Sequence, residues 1–388
     1  MLLLYRLKYK LYLQQEDILL MKTFNNILED FTPDYDVSIL GDINSLLFLD
    51  IETTGLTARN SNLYMIGCAY YKDDVWQTSQ WFAEKYDEEL AILTAFFDFI
   101  KDFGCLVHYN GNAFDIPYLL SKCNQYELNY DFSNLNGIDI YRRIAPYKDL
   151  LYIDNLKQKT LEEFLGITRT DKYTGRELIS IYHDYVCLPD ETTLNDLVLH
   201  NHEDLVGMLK SLSILSYCDL FNRPIRVMKA QANYFTNEAG VKGQEIILKL
   251  RFESSLPLPI TFRGLGCYFT AEGINGSLKI PLYQGELKYY YSNYKNYYYL
   301  PAEDIAMHKS VATFVDKAHR IQATAKNCYT RKNSLFLPEW DILFTPFYKK
   351  EYNSKSIYFE LTDEFKKNRS SFGLYASHVL TSMFERMD

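Results

Sequence analysis

The sequence lacks the patterns that mark membrane-spanning or disulfide-stabilised proteins. None of its apolar runs reaches the roughly 18 residues that a membrane-spanning helix needs. Its seven cysteines are scattered and include no C-x-x-C pair, which argues against a zinc site and favours free thiols in a reducing cytosol. The single G-L-G at 264–266 is too short to indicate a phosphate-binding loop. We therefore expect a soluble, cytoplasmic protein with no disulfide partner.

The length and the distribution of charge indicate two domains. At 388 residues the chain exceeds a comfortable single domain. Residues 1–220 hold 18 lysines and arginines against 34 acidic residues, a net charge of −16, whereas residues 221–388 hold 23 against 16, a net charge of +7. An acidic half joined to a basic half suggests that the two parts have different partners.

The first 44 residues are predicted to form an N-terminal leader. Arg6, Lys8 and Lys10 interrupt the apolar start, and no small-residue cleavage site follows, so a signal peptide is excluded. Two interpretations remain open. The first twenty residues could form an amphipathic surface helix, or translation could begin at Met21.

Hydrophobic periodicity predicts a mixed sheet flanked by helices over residues 45–220. Predicted strands lie at 45–51, 63–71, 75–83, 105–110 and 137–141, and predicted helices at 87–104, 115–127 and 193–218. After residue 221 apolar and polar residues alternate between Gly and Pro punctuation, which is typical of antiparallel strands. We expect a β-rich (α+β) second domain over 221–388, with a helix near 302–326 and further strands in 335–361.

The first chemical motif is LDIETTGL, which contains Asp50 and Glu52. Alternate side chains of a strand face the same side, so both carboxylates point towards one place. Two unit charges about 4 Å apart repel by roughly 4 kcal/mol at an effective dielectric of 20. A bound cation would relieve that repulsion, and oxygen ligands suit Mg²⁺ or Mn²⁺. The alternative is an exposed strand with two solvated acids.

The second motif is HYNGNAFDIPYL, which places Asp115 at a strand-to-helix junction. Ligands collect at strand ends in open α/β sheets. Asp115 could also serve as a helix N-cap, with Pro117 just inside the helix. Both roles are compatible.

The third motif is LVLHNHEDLVGM, in which His200 and Asp204 lie four residues apart on one helical face. A solvated helix surface rich in histidine and acids is the alternative interpretation.

Taken in order, these three motifs resemble those of the DEDD exonuclease superfamily. The phrases DIETTGL, N-G-N-x-F-D-x-P-Y-L and HN-x-x-D are most similar to the YprB-like branch of ribonuclease-H-like proteins. The segment KTLEEFLGI at 159–167, followed by Arg169 and Asp171, resembles the middle segment of that branch. His200 departs from the superfamily's two usual forms, because it has the spacing of the tyrosine form with the residue of the histidine form. The resemblance covers about 45–220.

The resemblance implies a ribonuclease-H-like fold and a metal-dependent 3′–5′ exonuclease that acts on single-stranded DNA or RNA ends. It implies two Mg²⁺ or Mn²⁺ ions, one held by Asp50, Glu52 and Asp204 and the other by Asp50 and Asp115. His200 would orient or deprotonate the attacking water.

The resemblance also implies substrate contacts. These would come from Thr53, Gly55, Leu56, Asn110 and Phe114. A core role for Phe114 is an open alternative. His108 could contact substrate but is expected to face the sheet, and His202, on the far side of the helix from Asp204, is expected to be a bystander.

Two other functions remain open for the whole chain. One is a non-catalytic protein of nuclease fold that binds nucleic acid or a partner, and the other is a structure-specific endonuclease. Enzymes that cut RNA–DNA hybrids place their glutamate on a later helix rather than two residues after the first aspartate. The spacing of Asp50 and Glu52 therefore favours trimming of strand ends.

The second domain carries a tyrosine-dense stretch and a group of cations. KYYYSNYKNYYYLP at 288–301 could stack bases beside lysines, but a β-hairpin with cross-strand aromatic pairs is the favoured interpretation. Phosphate neutralisation supplies most sequence-independent nucleic-acid binding. We expect such binding from this domain, with Arg331 and Lys332 as substrate-binding residues. The cations near the predicted helix are Lys309, Lys317, Arg320, Lys326, Arg331 and Lys332.

Overall fold

The computed structural model describes residues 21–236, 240 and 242–386. Both interpretations of the first twenty residues concern a segment outside this described part. The chain divides into two compact units, one ending at Cys218 and the other beginning at Asp219. No helix in the described residues is long and apolar enough to cross a membrane.

The first unit contains one six-stranded sheet in the order β1-β4-β3-β2-β5-β6. Its strands are β1 (Lys22–Leu28), β2 (Leu46–Thr53), β3 (Leu63–Lys72), β4 (Val75–Phe82), β5 (Cys105–His108) and β6 (Asn136–Asp139). Strands β1 to β4 pair antiparallel, whereas β5 lies parallel to β2 and β6 parallel to β5. The sheet is therefore mixed, as the sequence predicts.

Helices follow the strands of this unit along the chain, and the last of them extends past Cys218 into the second unit. They are α1 (Glu89–Phe99), α2 (Asp115–Gln125), α3 (Ile140–Ile144), α4 (Lys148–Leu151), α5 (Gln158–Phe164), α6 (Gly175–Cys187), α7 (Glu191–Lys210) and α8 (Ser216–Asn222). One apolar cluster joins α1 and α2 to the sheet, and another joins α6 and α7 to it. Because both faces are covered, the central strand β2 is a continuous buried apolar run over its first four residues. The predicted fold class is confirmed.

A buried ion pair fastens the helix that carries Asp115. The ammonium of Lys122 in α2 lies 2.8 Å from the carboxylate of Glu89 in α1, and it also donates to the carbonyl of Ser61, 2.5 Å away. Glu89 accepts a second bond from the backbone N–H of Leu63. Satisfying both charges with extra hydrogen bonds is what makes such a buried pair tolerable. It fixes α2 against the loop that follows β2.

The helix predicted over 193–218 is interrupted. Helix α7 ends at Lys210, a 3₁₀ segment runs over Ser211–Leu215, and α8 begins at Ser216. The hydroxyl of Ser211 donates to the carbonyl of Met208, 3.0 Å away. Serine hydroxyls compete in this way with the helical hydrogen-bond ladder.

The second unit is built from three antiparallel sheets, in the orders β7-β8-β9, β10-β14-β16-β15 and β12-β11-β13. Its strands are β7 (Arg226–Thr236), β8 (Lys242–Gly264), β9 (Cys267–Pro281), β10 (Tyr283–Tyr290), β11 (Tyr297–Leu300), β12 (Ile305–His308), β13 (Ile321–Gln322), β14 (Tyr329–Glu339), β15 (Phe347–Tyr348) and β16 (Ile357–Glu360). Its helices are α9 (Lys309–Ala312), α10 (Asp363–Lys367) and α11 (Arg369–Glu385). The predicted β-rich second part is confirmed.

The helix predicted near 302–326 is wrong. That segment holds β12, the single-turn helix α9 and β13 instead. The residues after Pro301 form a turn between β11 and β12, in which Asp304 has a φ of 53° and its carboxylate accepts bonds from Tyr299 and Tyr329. Proline followed by acids is typical of a helix start, but the same residues also suit turns, and cross-strand pairing decides the outcome here.

Candidate metal centre

Asp50 and Glu52 lie near the end of β2, on the face of the sheet that α7 covers. Ile51, between the two acids, and Leu49, just before Asp50, belong to the apolar cluster on the other face of the sheet. The predicted alternation is therefore present. Asp50 pairs across the sheet with Gly67. Glu52 is only 8% exposed.

Helix α7 places an amide against Asp50. The side-chain N–H of Asn201 donates to a carboxylate oxygen of Asp50 over 2.7 Å, and the Asn201 carbonyl oxygen accepts from Gln80 over 2.9 Å. Asn201 and Gln80 are fully buried. A Cβ atom at Gly67 would collide with the Asn201 amide, so the glycine leaves the room that this contact needs.

His200 lies between three acids, with one at Nδ1 and two near Nε2. Nδ1 lies 2.7 Å from a carboxylate oxygen of Asp171, and Nε2 lies 3.3 Å from Asp204 and 4.0 Å from Glu52. Because a carboxylate accepts hydrogen bonds, we assign the imidazole proton to Nδ1 and leave Nε2 facing the acids. Burial acts to raise the pKa of Asp171, but hydrogen bonds from Lys159 and interactions with its other neighbours hold that pKa below its ordinary value.

Asp204 is held by an arginine. Nη1 of Arg169 lies 2.6 Å from a carboxylate oxygen of Asp204, while the rest of the guanidinium binds the buried Glu162. The second oxygen of Asp204 is the one that faces His200. Gly207 lies directly against Glu162, and a side chain there would displace it. Arg169 therefore fixes the orientation of the Asp204 carboxylate.

Asp115 is the first residue of α2 and is 7% exposed. Phe114 occupies the N-cap position, so Asp115 does not have the N-cap role that the sequence also allows. Its carboxylate accepts backbone hydrogen bonds from its own N–H and from Ile51 of β2. Burial raises the pKa of Asp115 to about 7. The backbone hydrogen bonds oppose this rise, and the charges of Asp139 and Asp204 add to it.

The acids repel one another strongly. Burial, and then the charges of Asp204, Glu52 and Asp115, raise the pKa of Asp50 well above its ordinary value. Burial and the charges of Asp204 and Asp115 do the same for Glu52. Arg169 offsets part of this charge, and a divalent cation would offset the rest.

The donor atoms suit a metal ion. One ligand atom each from Glu52, His200 and Asp204 lie within 4.8 Å of one another. Among the described residues this group of three contains His200 and does not contain Asp50. The carboxylate oxygens suit Mg²⁺, but the imidazole nitrogen does not. Mn²⁺ accepts both kinds of donor.

The predicted substrate contacts of the first motif follow Glu52 directly in the chain. The hydroxyl of Thr53 donates to the carbonyl of Gly55 over 3.0 Å, and Ser61 donates to the same carbonyl. Leu56 is 86% exposed beside this fixed turn. The turn therefore presents an apolar side chain to solvent.

The predicted contacts of the second motif are more enclosed. Asn110 has a φ of 60°, and its N–H donates to Asp139. Phe114 is partly buried against the core, with its ring 5.5 Å from that of Tyr118. His108 is fully buried, its Nδ1 accepts from the N–H of Gly111, and burial lowers its pKa.

His202 lies away from the acids. Its Nδ1 is 3.2 Å from the hydroxyl of Thr78 on β4, and burial lowers its pKa.

Arg331 and Lys332, in the second unit, are engaged by acids of that unit. Arg331 lies 3.5 Å from Glu286 and 3.8 Å from Asp304, and Lys332 lies 2.5 Å from Glu360. Strand β14 carries both residues, so their partners come from neighbouring strands and the adjoining turn. Binding phosphate with either would require breaking these pairs.

Four residues of the centre escaped the motif analysis. Asp171 and Arg169 belong to the family-like segment, and Asn201 is part of the phrase HN-x-x-D, but no motif assigns any of them a role and none contains Gln80. Asn201 is separated from Asp50 by 151 residues.

Comparison with known proteins supports the fold of the first unit. Residues 47–214 match the model of the family RNase_H_2, of the RNase_H superfamily. No curated protein matches the chain. The matched segment contains every acid of the candidate centre.

Several solved structures resemble the chain weakly. The family B DNA polymerase of the archaeon Pyrobaculum calidifontis is 15% identical with a TM-score of 0.36, covering 66% of this chain and 36% of that one. E. coli exonuclease I with a dT13 oligonucleotide is 13% identical with a TM-score of 0.28, covering 53% and 55%. A zinc-bound E. coli exonuclease I–ssDNA complex is 12% identical with a TM-score of 0.27, covering 54% and 55%. This chain spans less than two thirds of each neighbour's length. These scores are too low to carry a functional statement, and what is established is that residues 47–214 are similar to the RNase_H superfamily and have a ribonuclease-H-like fold.

Proposed function

We propose that the protein is a two-metal-dependent 3′–5′ exonuclease that acts on single-stranded DNA or RNA ends. The observation that carries the proposal is the convergence of four carboxylates and one imidazole from three separate elements. Asp50 and Glu52 come from β2, Asp115 from the start of α2, and His200 and Asp204 from α7. Such mutual repulsion is costly without a cation, so a catalytic use explains it better than stability does.

Two Mg²⁺ or Mn²⁺ ions would be held by these residues, the first by Asp50, Glu52 and Asp204 and the second by Asp50 and Asp115. Bound there, they would supply a nucleophilic hydroxide and stabilise charge on the leaving oxygen. Arg169 keeps one oxygen of Asp204 occupied and so directs the other oxygen into the centre. Asn201 similarly orients the Asp50 carboxylate.

His200 would accept the proton of the attacking water at Nε2. The proton on its Nδ1 remains hydrogen-bonded to Asp171, and the charge of that carboxylate stabilises the imidazolium that then forms. Attack on the last phosphodiester breaks the bond to the 3′ oxygen of the preceding nucleotide. The products are a nucleoside 5′-monophosphate and a strand shortened by one residue with a new 3′ hydroxyl.

The proposal extends to the basic second unit, which would contribute to nucleic-acid binding. The acidic first part would attract a polyanion only through its metals, whereas residues 221–388 carry a net charge of +7. Because Arg331 and Lys332 are paired with acids, other cations are better placed for this role.

The test uses four single strands, DNA and RNA, each labelled at the 3′ or the 5′ end. Wild-type protein with Mn²⁺ should release a labelled mononucleotide at once from 3′-labelled strands and produce a descending ladder from 5′-labelled ones. EDTA should stop both. Internal fragments from both labels would favour the endonuclease, and binding without cleavage would favour the non-catalytic alternative.

A further inference from the structure

An exposed aromatic side chain lies in a basic segment of the second unit. Phe314 is 92% exposed, and the nearby Val311 and Ile321 are 55% and 51% exposed. Burying such side chains is favourable, so their joint exposure needs an explanation. We call residues 309–322 the Phe314 surface.

The Phe314 surface is a folded feature. The backbone N–H of Phe314 donates to the carbonyl of Val311, and Ala312 is fully buried beneath the turn. The guanidinium of Arg320 donates to the carbonyl of Ala312. Strand β13, at its far end, pairs with β11. The turn that carries Phe314 is thus closed at both ends by hydrogen bonds.

Two cations of this surface lie over one ring. The ammonium of Lys309 is 5.3 Å and the guanidinium of Arg320 is 4.9 Å from the ring centre of Tyr298. Neither forms an ion pair with a carboxylate among the residues that the structure describes. Lys317 and His319 add exposed basic groups nearby. The segment also holds one acid, Asp316, whose carboxylate accepts from the N–H of Ala318. The cations of the segment outnumber this acid, and a local excess of cations attracts an anion.

The tyrosines of β11 divide between two faces. Tyr297 and Tyr299 pack against the small core cluster of this sheet, whereas Tyr298 meets the two cations. The hairpin interpretation of the tyrosine-dense stretch therefore accounts for the packed rings. It leaves Tyr298 as the base of a cationic surface.

We propose that the Phe314 surface binds single-stranded nucleic acid, with phosphates at Lys309 and Arg320 and a base stacked on the Phe314 ring. The choice of nucleic acid as the partner rests on the proposed nuclease function. A ring beside unpaired cations matches the alternation of base and phosphate along a strand. A duplex would hide the base faces in its own stack, so the surface favours single strands.

The test measures binding of a fluorescent single-stranded oligonucleotide to the full chain in EDTA, where cleavage cannot interfere. Phe314→Ala should weaken binding roughly 5- to 150-fold, as loss of one stacked base does. Phe314→Trp should bind like wild type, whereas Phe314→Leu should bind like Phe314→Ala, because leucine keeps the apolar area and loses the ring.

The cations are tested by salt dependence. Lys309→Gln should lower the slope of log affinity against log salt by about 0.7, the value for one phosphate contact on a single strand. Lys366→Gln is the matched control, because Lys366 is already paired with Asp363 and its loss should leave the slope unchanged.

The outcomes separate this surface from the nuclease centre. Wild-type affinity in Phe314→Ala, or equal affinity in Phe314→Leu and Phe314→Trp, would overturn the stacking site. An unchanged slope in Lys309→Gln would overturn the phosphate site. Phe314-dependent binding in a protein that never cleaves with Mn²⁺ would uphold this surface and refute the proposed function. Cleavage by a protein whose affinity for the strand does not depend on Phe314 would refute this surface and uphold the proposed function.

Discussion

Asp171 binds Nδ1 of His200 over 2.7 Å and thereby turns Nε2 towards Asp204 and Glu52. Asp171 lies on the loop before α6 and His200 on α7, so two elements share the orientation of one ring. A carboxylate behind a histidine fixes its tautomer and raises its basicity. We regard Asp171 as a positioning residue.

Asp171→Ala should lower kcat by about 10- to 100-fold with little change in KM, because it removes support for the base and no substrate contact. Steady-state cleavage of a single-stranded oligonucleotide measures both constants. Asp184→Ala, at an exposed aspartate of α6, is the control and should behave as wild type. Wild-type turnover in Asp171→Ala would remove the positioning role, and a raised KM with unchanged kcat would assign Asp171 to substrate binding.

His200→Ala should lose roughly 10²- to 10⁴-fold in rate, the usual contribution of general base catalysis. His202→Ala should retain most of its activity, because its ring lies at Thr78 rather than at the acids. Both variants are to be compared well below their Tm, since the ring of His200 is buried and that of His202 is half-buried. Equal losses would contradict the assignment of His200.

The acids of the metal-free centre should contribute less to stability as pH rises from about 4 to about 7. The pKa of Asp115 is about 7 in the fold, against an ordinary value of 3.8, so the folded state binds more protons than the unfolded chain across this window. One such group gives at most about 1.4 kcal/mol per pH unit. Asp50 and Glu52, with pKa values raised by burial, act in the same direction.

Thermal melts in EDTA between pH 4 and 8 measure this dependence. Asp115→Asn should be more stable than wild type at pH 7.5 and should show a flatter pH profile. Identical pH profiles for wild type and Asp115→Asn would contradict the raised pKa of Asp115.

Mn²⁺ should raise the Tm of wild type, because an ion that binds only the folded state stabilises it. At a free Mn²⁺ concentration 100 times Kd, the free energy of unfolding should rise by about 2.7 kcal/mol. Calorimetry should find two ions for wild type, one for Asp115→Ala and fewer than two for Asp50→Ala and Asp204→Ala. Asp184→Ala should keep both ions. Two ions in Asp115→Ala would place the second ion elsewhere.

The parts of the centre that could be predicted depend on local geometry. Asp50 and Glu52 follow from strand alternation, and His200 and Asp204 from helical spacing. The contacts of Asn201 with Asp50, and of Arg169 with Asp204, join residues 151 and 35 positions apart. Such contacts depend on how elements pack, which periodicity does not record.

The second unit shows the same limit. Alternation predicted its antiparallel strands, but the turn at Asp304 resembled a helix start in sequence and only the pairing of β11 with β12 distinguishes the two. The ion pairs of Arg331 and Lys332 likewise come from neighbouring strands. Charge counts identified a basic surface without showing which cations are already neutralised.

The most direct test is the rate at which a 5′-labelled single strand shortens in Mn²⁺, compared between wild type and Asp50→Ala. Asp50 is the ligand assigned to both ions, so its loss should abolish shortening while circular dichroism and Tm in EDTA show an intact fold. We expect a descending ladder for wild type and none for Asp50→Ala. A ladder of equal rate from folded Asp50→Ala would contradict the four-carboxylate metal centre.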